Sequence, residues 1–137
     1  MEPPAPDARP ARLVVEPLSQ RSSWDYLQST DVGRLALTSG ALPVIVPVAY
    51  TVVDDAIVFR TGPHRALSPS TAGAVVAFET GDLQLGREEG WSVLVRGVVH
   101  QLGAADPLPH GEPPHDVLLA LQARIIEGSR VHFDPPR

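Results

Sequence analysis

Apolar and polar residues alternate along much of the chain, and such alternation is typical of half-buried β-strands. In GRLALTS (33–39), Leu35 and Leu37 recur two residues apart, and a longer alternating run begins at Trp91. Short turn sequences, such as the two aspartates at 54–55, separate these runs. The pattern predicts about six strands at hairpin spacing, and the short connections favour antiparallel pairing.

The longest β-branched run, VIVPVAYTVV (44–53), contains Pro47. A proline cannot donate to a strand ladder, so this residue predicts an edge strand or a bulge. One interpretation is that backbone groups left free at Val48 and Tyr50 read the edge of a flat heterocycle. The alternative is an ordinary edge strand with no ligand.

Helical patterns occur near the ends of the chain and between two strands. LSQRSSWDYLQST (18–30) predicts a helix of about 10 residues, capped by Ser19 or by the serines at 22–23. Shorter helices are predicted at 64–71 and 116–123. The resulting class is mainly β within α+β, and a small barrel is the natural way to bury such strands.

Composition narrows the function classes. The chain has 137 residues, which suits one domain; a Pro-rich stretch predicts a disordered tail at 1–12 and one domain at 13–137. The net charge of −5 argues against binding of nucleic acid or an anionic membrane. Cysteine is absent, which excludes disulfides and thiolate catalysis. With no long apolar run, a cytoplasmic location is expected.

The strand that ends at Arg60-Thr61 is followed by Gly62-Pro63 and by Arg65. A guanidinium fork, a hydroxyl and a glycine that admits close backbone approach are the parts of a phosphate site. A solvated turn that happens to be rich in arginine is the alternative interpretation.

Trp91 and Ser92 open the long alternating strand, where they are suited either to pack beside a flat ring or to cover a barrel end. The five histidines show no metal-ligand spacing, so no metal site is expected. Patterns for a nucleophile elbow, a P-loop and a dinucleotide fold are also absent from the sequence.

Five short motifs, taken in order, resemble the pyridoxamine 5′-phosphate oxidase-like flavoprotein family in its small actinobacterial form. They are Gly33-Arg34-Leu35-Ala36, Pro47-Val48-Ala49-Tyr50, Phe59-Arg60-Thr61, Val76-Ala77-Phe78-Glu79 and Trp91-Ser92-Val93-Leu94-Val95-Arg96-Gly97. The resemblance spans about residues 18 to 102.

This resemblance implies a six-stranded antiparallel split β-barrel with short flanking helices, forming a homodimer with FMN in a groove between the subunits. The residues that it assigns to the cofactor are Pro47, Val48, Ala49, Tyr50, Arg60, Thr61, His64, Arg65, Leu67, Trp91 and Ser92. The flavin ring would lie along residues 47–49, held by backbone hydrogen bonds. Its phosphate would meet Arg60, Thr61 and the start of the short helix that follows. Trp91 and Ser92 would line the flavin side of the pocket. The implied function is an FMN-dependent oxidoreductase of unknown substrate.

Gly81 stands where the family often has an aspartate, and two further departures lie at the implied phosphate site. Ala66 stands where the family commonly has a lysine, and His64 stands where it commonly has a glycine. Two other functions stay open on the same fold, and the departures at His64 and Ala66 favour the first of them. One is a cofactor-free binding or scaffolding homodimer, and the other is a reductase that uses the deazaflavin F420.

Overall fold

A computed structural model describes residues 2, 9–62, 67–103 and 117–134. Within these residues the chain forms seven strands, one α-helix and one 3₁₀ turn. The strands are β1 (Arg12–Pro17), β2 (Val32–Ser39), β3 (Leu42–Val53), β4 (Ala56–Arg60), β5 (Val75–Asp82), β6 (Gly90–Leu102) and β7 (Leu118–Asp134). The helix is α1 (Gln20–Gln28), and the 3₁₀ turn spans Pro69–Thr71 within the region predicted to be helical.

Six of the strands form a closed antiparallel ring in the order β7-β4-β3-β2-β5-β6, with β6 returning to β7. This confirms the predicted six-stranded antiparallel barrel. The seventh strand, β1, pairs with the far end of β7, where Arg12 lies opposite Asp134. The sequence indicated only a short apolar segment there, because six residues ending in Pro17 show little alternation.

The helix predicted at 116–123 is wrong for the residues that the structure describes, because β7 runs unbroken from Leu118. Leu, Ala, Gln and Arg favour helix by intrinsic propensity, but tertiary pairing overrides so weak a preference. Residues 118–122 of β7 pair with β4 on one side and with β6 on the other. Leu119 and Leu121 are fully buried there.

The barrel interior is filled by alternate residues of the strands. Leu35 and Leu37 of β2 are both buried, as predicted. Tyr50 and Phe78 meet edge to face near one end, with ring centroids 4.8 Å apart. The large apolar side chains that are fully buried are Leu27, Leu35, Ile57, Phe59, Phe78, Val93, Val95, Val99, Leu119 and Leu121.

Helix α1 confirms the predicted helix and covers part of the barrel. The Ser19 hydroxyl accepts a hydrogen bond from the backbone N–H of Ser22 (3.1 Å), which satisfies a donor that the first helical turn leaves unpaired. At the other end Leu27 is fully buried. With nine residues, the α-helix formed by the described residues is too short to cross a membrane.

Candidate functional site

Strand β3 changes its neighbour halfway along its length. Residues 42–49 pair with β2, and the described register with β4 starts only at Tyr50, opposite Phe59. Pro47 therefore lies in a half of β3 that has lost its β4 neighbour. The predicted edge position of this proline is confirmed, although β3 as a whole lies inside the sheet.

The open side of β3 is the edge of residues 42–49 that has no β4 neighbour in the described register, and the direction of each backbone group determines which of them face it. The N–H of Tyr50 donates to the carbonyl of Asp31 (2.9 Å), towards β2. Successive residues of a strand direct their backbone groups to opposite sides, so Val48 also faces β2 and Ala49 faces the open side. The interpretation that placed free backbone groups at Val48 and Tyr50 is therefore corrected: the residue that turns its backbone N–H to the open side is Ala49.

A groove of about 460 Å³ follows this open side of β3 and continues across the end of β4. Its volume lies in the range of about 300–1,000 Å³ usual for small-molecule sites. The lining residues are Pro47, Val48, Ala49, Tyr50, Thr51, Val58, Phe59, Arg60, Thr61, Gly62 and Leu118. The structure thus brings together six of the predicted cofactor residues, those at 47–50 and 60–61.

Arg60 is the last residue of β4, and its exposed side chain stands at the groove. Gly62 follows in the left-handed region (φ 61°), and a Cβ added there would meet no described atom within 4 Å. Among the described residues, no atom therefore blocks the approach of a ligand to this backbone next to the Arg60 guanidinium. That arrangement is what an anionic group requires.

Thr61 is fully buried and holds the end of β4 against the start of β7. Its N–H donates to the carbonyl of Val117, and its Oγ1 accepts from the N–H of Val117, both at 3.1 Å. This pair of bonds fixes the strand end that carries Arg60. A direct contact between the Thr61 hydroxyl and a phosphate stays a prediction.

The other predicted site residues lie elsewhere or outside the described residues. Leu67 is buried in the core, which gives it a packing role in this chain. The rings of Trp91 and Tyr26 stack with centroids 4.6 Å apart, so Trp91 packs on α1. The Ser92 hydroxyl donates to Glu79 (3.3 Å). His64 and Arg65 fall outside the described residues.

Sequence reasoning missed part of the groove lining. Leu118 was assigned to a helix, and its place beside Arg60 arises from the pairing of β7 with β4. No local signal in the sequence could have indicated this contact. Val58, by contrast, follows from the strand register, because residues two apart on a strand, such as Val58 and Arg60, share one face.

Tyr50 connects the groove to a buried cluster of hydroxyl groups. Its phenol donates to the carbonyl of Leu27 (2.6 Å) and lies 2.5 Å from the hydroxyl of Thr30. Burial raises the pKa of Tyr50 above its ordinary value of 10.0, and hydrogen bonds from Thr30 and Thr80 partly oppose that shift. The phenol is therefore neutral in the folded protein at physiological pH.

The fold is a small split β-barrel, with a groove along the open side of β3. A family model described as pyridoxamine 5′-phosphate oxidase matches residues 19–110. The chain belongs to this family. Among the described residues, no group of three histidine, aspartate or glutamate side chains is placed to hold a metal ion.

The chain is similar to three known proteins. An uncharacterized protein of Mycobacterium tuberculosis, Rv0080, is 34% identical over 90% of each chain. The solved FAD binding protein from Mycobacterium smegmatis is 30% identical, with a TM-score of 0.67 over 85% of this chain and 98% of its own. A FAD-binding protein from Mesorhizobium loti is 18% identical, with a TM-score of 0.68 over 88% and 99%, and supports the fold alone.

Proposed function

We propose that the protein is a flavin-dependent oxidoreductase that binds FMN in the β3–β4 groove. The observation that carries this proposal is the groove itself, which joins an apolar strand surface and a presented backbone edge to an exposed guanidinium. A flavin has the matching parts: a flat ring with hydrogen-bonding edges, and a phosphate at the end of its side chain.

The lining residues divide between these two parts. The ring lies along Pro47, Val48 and Ala49, with the N–H of Ala49 towards the ring edge. The phosphate lies at Arg60 and the Gly62 turn. When bound, the flavin supplies the hydride or electron transfer, and the protein positions it and sets its electrostatic surroundings.

The flavin is FMN or its adenylated form, FAD. Support for FAD comes from the 30% identical Mycobacterium smegmatis protein, which is a FAD binding protein. FMN and FAD share the ring and the first phosphate, so Arg60 has the same role for both. F420 is a third candidate, because this deazaflavin also carries a phosphate.

The direct test is the visible spectrum of freshly purified protein, with the released chromophore identified by mass. A bound flavin predicts the flavin absorption bands and a released mass equal to that of FMN or FAD. A colourless protein that takes up none of FMN, FAD and F420 contradicts the proposal.

The proposal includes a homodimer formed through the outer face of β2, β3, β5 and β6. Ile45, Ala36 and Ala77 form a row across three neighbouring strands on this face, and Ile45 is 69% exposed. Val75 of β5 has a still larger exposed fraction, 77%. Contiguous exposed apolar residues of this kind mark interaction sites.

Ion pairs frame this outer face. Both Nε and Nη2 of Arg34 donate to Glu79 (2.9 and 2.7 Å), and Arg96 pairs with Glu127 (2.8 Å). These charges are already neutralised within one chain, so a second copy does not have to bury an unpaired charge. The partner copy then places its Trp91 and Ser92 beside the flavin, which one chain does not do.

The dimer is tested by light scattering on the wild type and on Ile45→Glu. The charge at a central apolar position is expected to give a monomer, whereas Leu13→Glu, at a 54% exposed leucine on β1, is expected to leave the dimer intact. A monomeric wild type, or a dimer in Ile45→Glu, contradicts this face as the interface.

A cofactor-free binding homodimer is the second candidate function. The sequence observation that favours it is Ala66, which stands at the position of the family's usual lysine. The spectrum and flavin titrations separate the two candidates, because only the first predicts flavin binding.

A further inference from the structure

Three hydroxyl groups meet where α1 ends and the barrel begins. The Thr30 hydroxyl lies 2.5 Å from the Tyr50 phenol and 3.1 Å from the hydroxyl of Thr80, which in turn donates to the carbonyl of Val32 (3.0 Å). The Tyr50 phenol donates to the carbonyl of Leu27 (2.6 Å). This hydroxyl cluster (Thr30, Tyr50 and Thr80) thus joins α1, β2, β3 and β5.

The bond to Leu27 has a specific reason. The last carbonyls of an α-helix have no partner within the helix. Leu27 is fully buried one residue before the end of α1, so its carbonyl needs a donor from another element. Tyr50 supplies that donor, and the bond fixes the side chain of Tyr50 to a rigid helix end.

Tyr50 also stands at the point where β3 changes its neighbour. Its N–H is bonded to Asp31, and its ring rests edge-on against Phe78. The next residue towards the groove is Ala49, whose strand segment pairs on one side only in the described register. A strand held on one side has fewer constraints on its twist, so an anchor at its end determines where its backbone groups point.

We propose that the Tyr50 phenol is a positioning residue that holds the Ala49 backbone edge in place for the flavin ring. This inference rests on the proposed function, because it assigns a role towards the ligand of the same groove. The phenol itself touches neither ring nor phosphate in this account. It acts through its bond to Leu27 and through the strand segment next to it.

The test compares Tyr50→Phe with the wild type by flavin titration and by the spectrum of the bound flavin. The phenylalanine keeps the ring against Phe78 and removes only the hydroxyl, and Thr30 can then donate to Thr80. The dissociation constant of the flavin is expected to rise about tenfold, because the variant lacks one hydrogen bond that positions the Ala49 backbone. A shifted, less resolved visible band is expected with it, since the band reports hydrogen bonds to the ring.

Two further variants separate positioning from general stability. Val99→Ala removes two methyl groups from a fully buried β6 residue outside the groove, and is expected to lower stability without changing flavin affinity or spectrum. Thr30→Val is expected to shift the spectrum in the direction of Tyr50→Phe, and Thr30→Ser, which keeps a hydroxyl, to restore it. Amide exchange of the segment 44–50 should quicken in Tyr50→Phe more than in Val99→Ala.

The results for the wild type, Tyr50→Phe and Val99→Ala distinguish failure of the positioning role from failure of the proposed function. If the wild type binds flavin and Tyr50→Phe binds it with the same affinity and spectrum, the positioning role is overturned and the proposed function stands. If Val99→Ala changes the spectrum as much as Tyr50→Phe, the effect is one of stability and the role is again overturned. If the wild type binds no flavin at all, both proposals fail together.

Discussion

Replacing Gly33 with alanine tests how the motif around β2 fits the motif around β5. A Cβ at this position would lie 2.2 Å from Cζ and 2.5 Å from Cε2 of the Phe78 ring, and 3.0 Å from the carbonyl oxygen of Glu79. Phe78 is fully buried, so its ring cannot move into solvent. The glycine and the phenylalanine are complementary in shape.

The magnitude follows from the distances. Carbon atoms in contact lie about 3.5–4.0 Å apart, so the ring must move by about 1 Å or more. Overpacking of this kind costs about 1–3 kcal/mol. Alanine recovers about 0.5–1 kcal/mol relative to glycine in a strand. The unfolding free energy of Gly33→Ala should therefore fall by about 1–2 kcal/mol, which lowers the Tm by roughly 3–8 °C.

The assay is denaturant unfolding of a double-mutant cycle with Phe78→Leu. Phe78→Leu should lower the unfolding free energy of the wild type. It should lower that of Gly33→Ala much less, because the smaller side chain relieves the contact with the new methyl group. If Gly33→Ala is as stable as the wild type, the predicted clash between the new methyl group and Phe78 is refuted. It is also refuted if Phe78→Leu has the same effect in both backgrounds, since the two sites would then be independent.

Two further predictions concern Thr61 and Tyr50. Thr61→Val leaves the N–H of Val117 without its acceptor and should lower the unfolding free energy by about 1–3 kcal/mol. Thr61→Ser keeps the hydroxyl and should keep most of the unfolding free energy. An equal loss in both variants would contradict a stabilising bond between Thr61 and Val117. Because the folded pKa of Tyr50 is raised, stability is fully present below pH 10.0 and should fall as pH rises through the folded pKa. With no lysine or cysteine in the chain, Tyr50→Phe should flatten this decline in alkaline unfolding curves. A decline as steep in Tyr50→Phe as in the wild type would contradict the assignment.

The barrel could be predicted from the sequence because its signals are local. Alternation in β2 and β6 and the turn at 54–55 each report on a few neighbouring residues. The capped helix α1 is equally local, with Ser19 accepting from Ser22. Strand β7 could not be predicted, because its residues favour a helix until β4 and β6 pair with both of its edges.

The site was partly predictable for the same reason. Pro47 indicated a break in the strand ladder, and the turn after Arg60 indicated the strand end that borders the groove. An anion at Arg60 stays a prediction. The residue that presents its backbone is nevertheless Ala49, because the direction of each N–H depends on the register with β2. The cluster around Thr30 and Thr80 gave no signal, since those hydroxyls are separated by 50 positions in the chain.

A flavin phosphate bound at Arg60 is tested most directly by a calorimetric titration of the protein with FMN, FAD and riboflavin. Riboflavin has the ring and no phosphate, so Arg60→Ala should weaken FMN and FAD by about ten- to a hundredfold and leave riboflavin unchanged. Arg87→Ala, at an exposed arginine that pairs with Asp82 outside the groove, is the matched control and should change none of the three. Equal weakening of FMN and riboflavin by Arg60→Ala, or no binding of any flavin to the wild type, would contradict a flavin phosphate at Arg60.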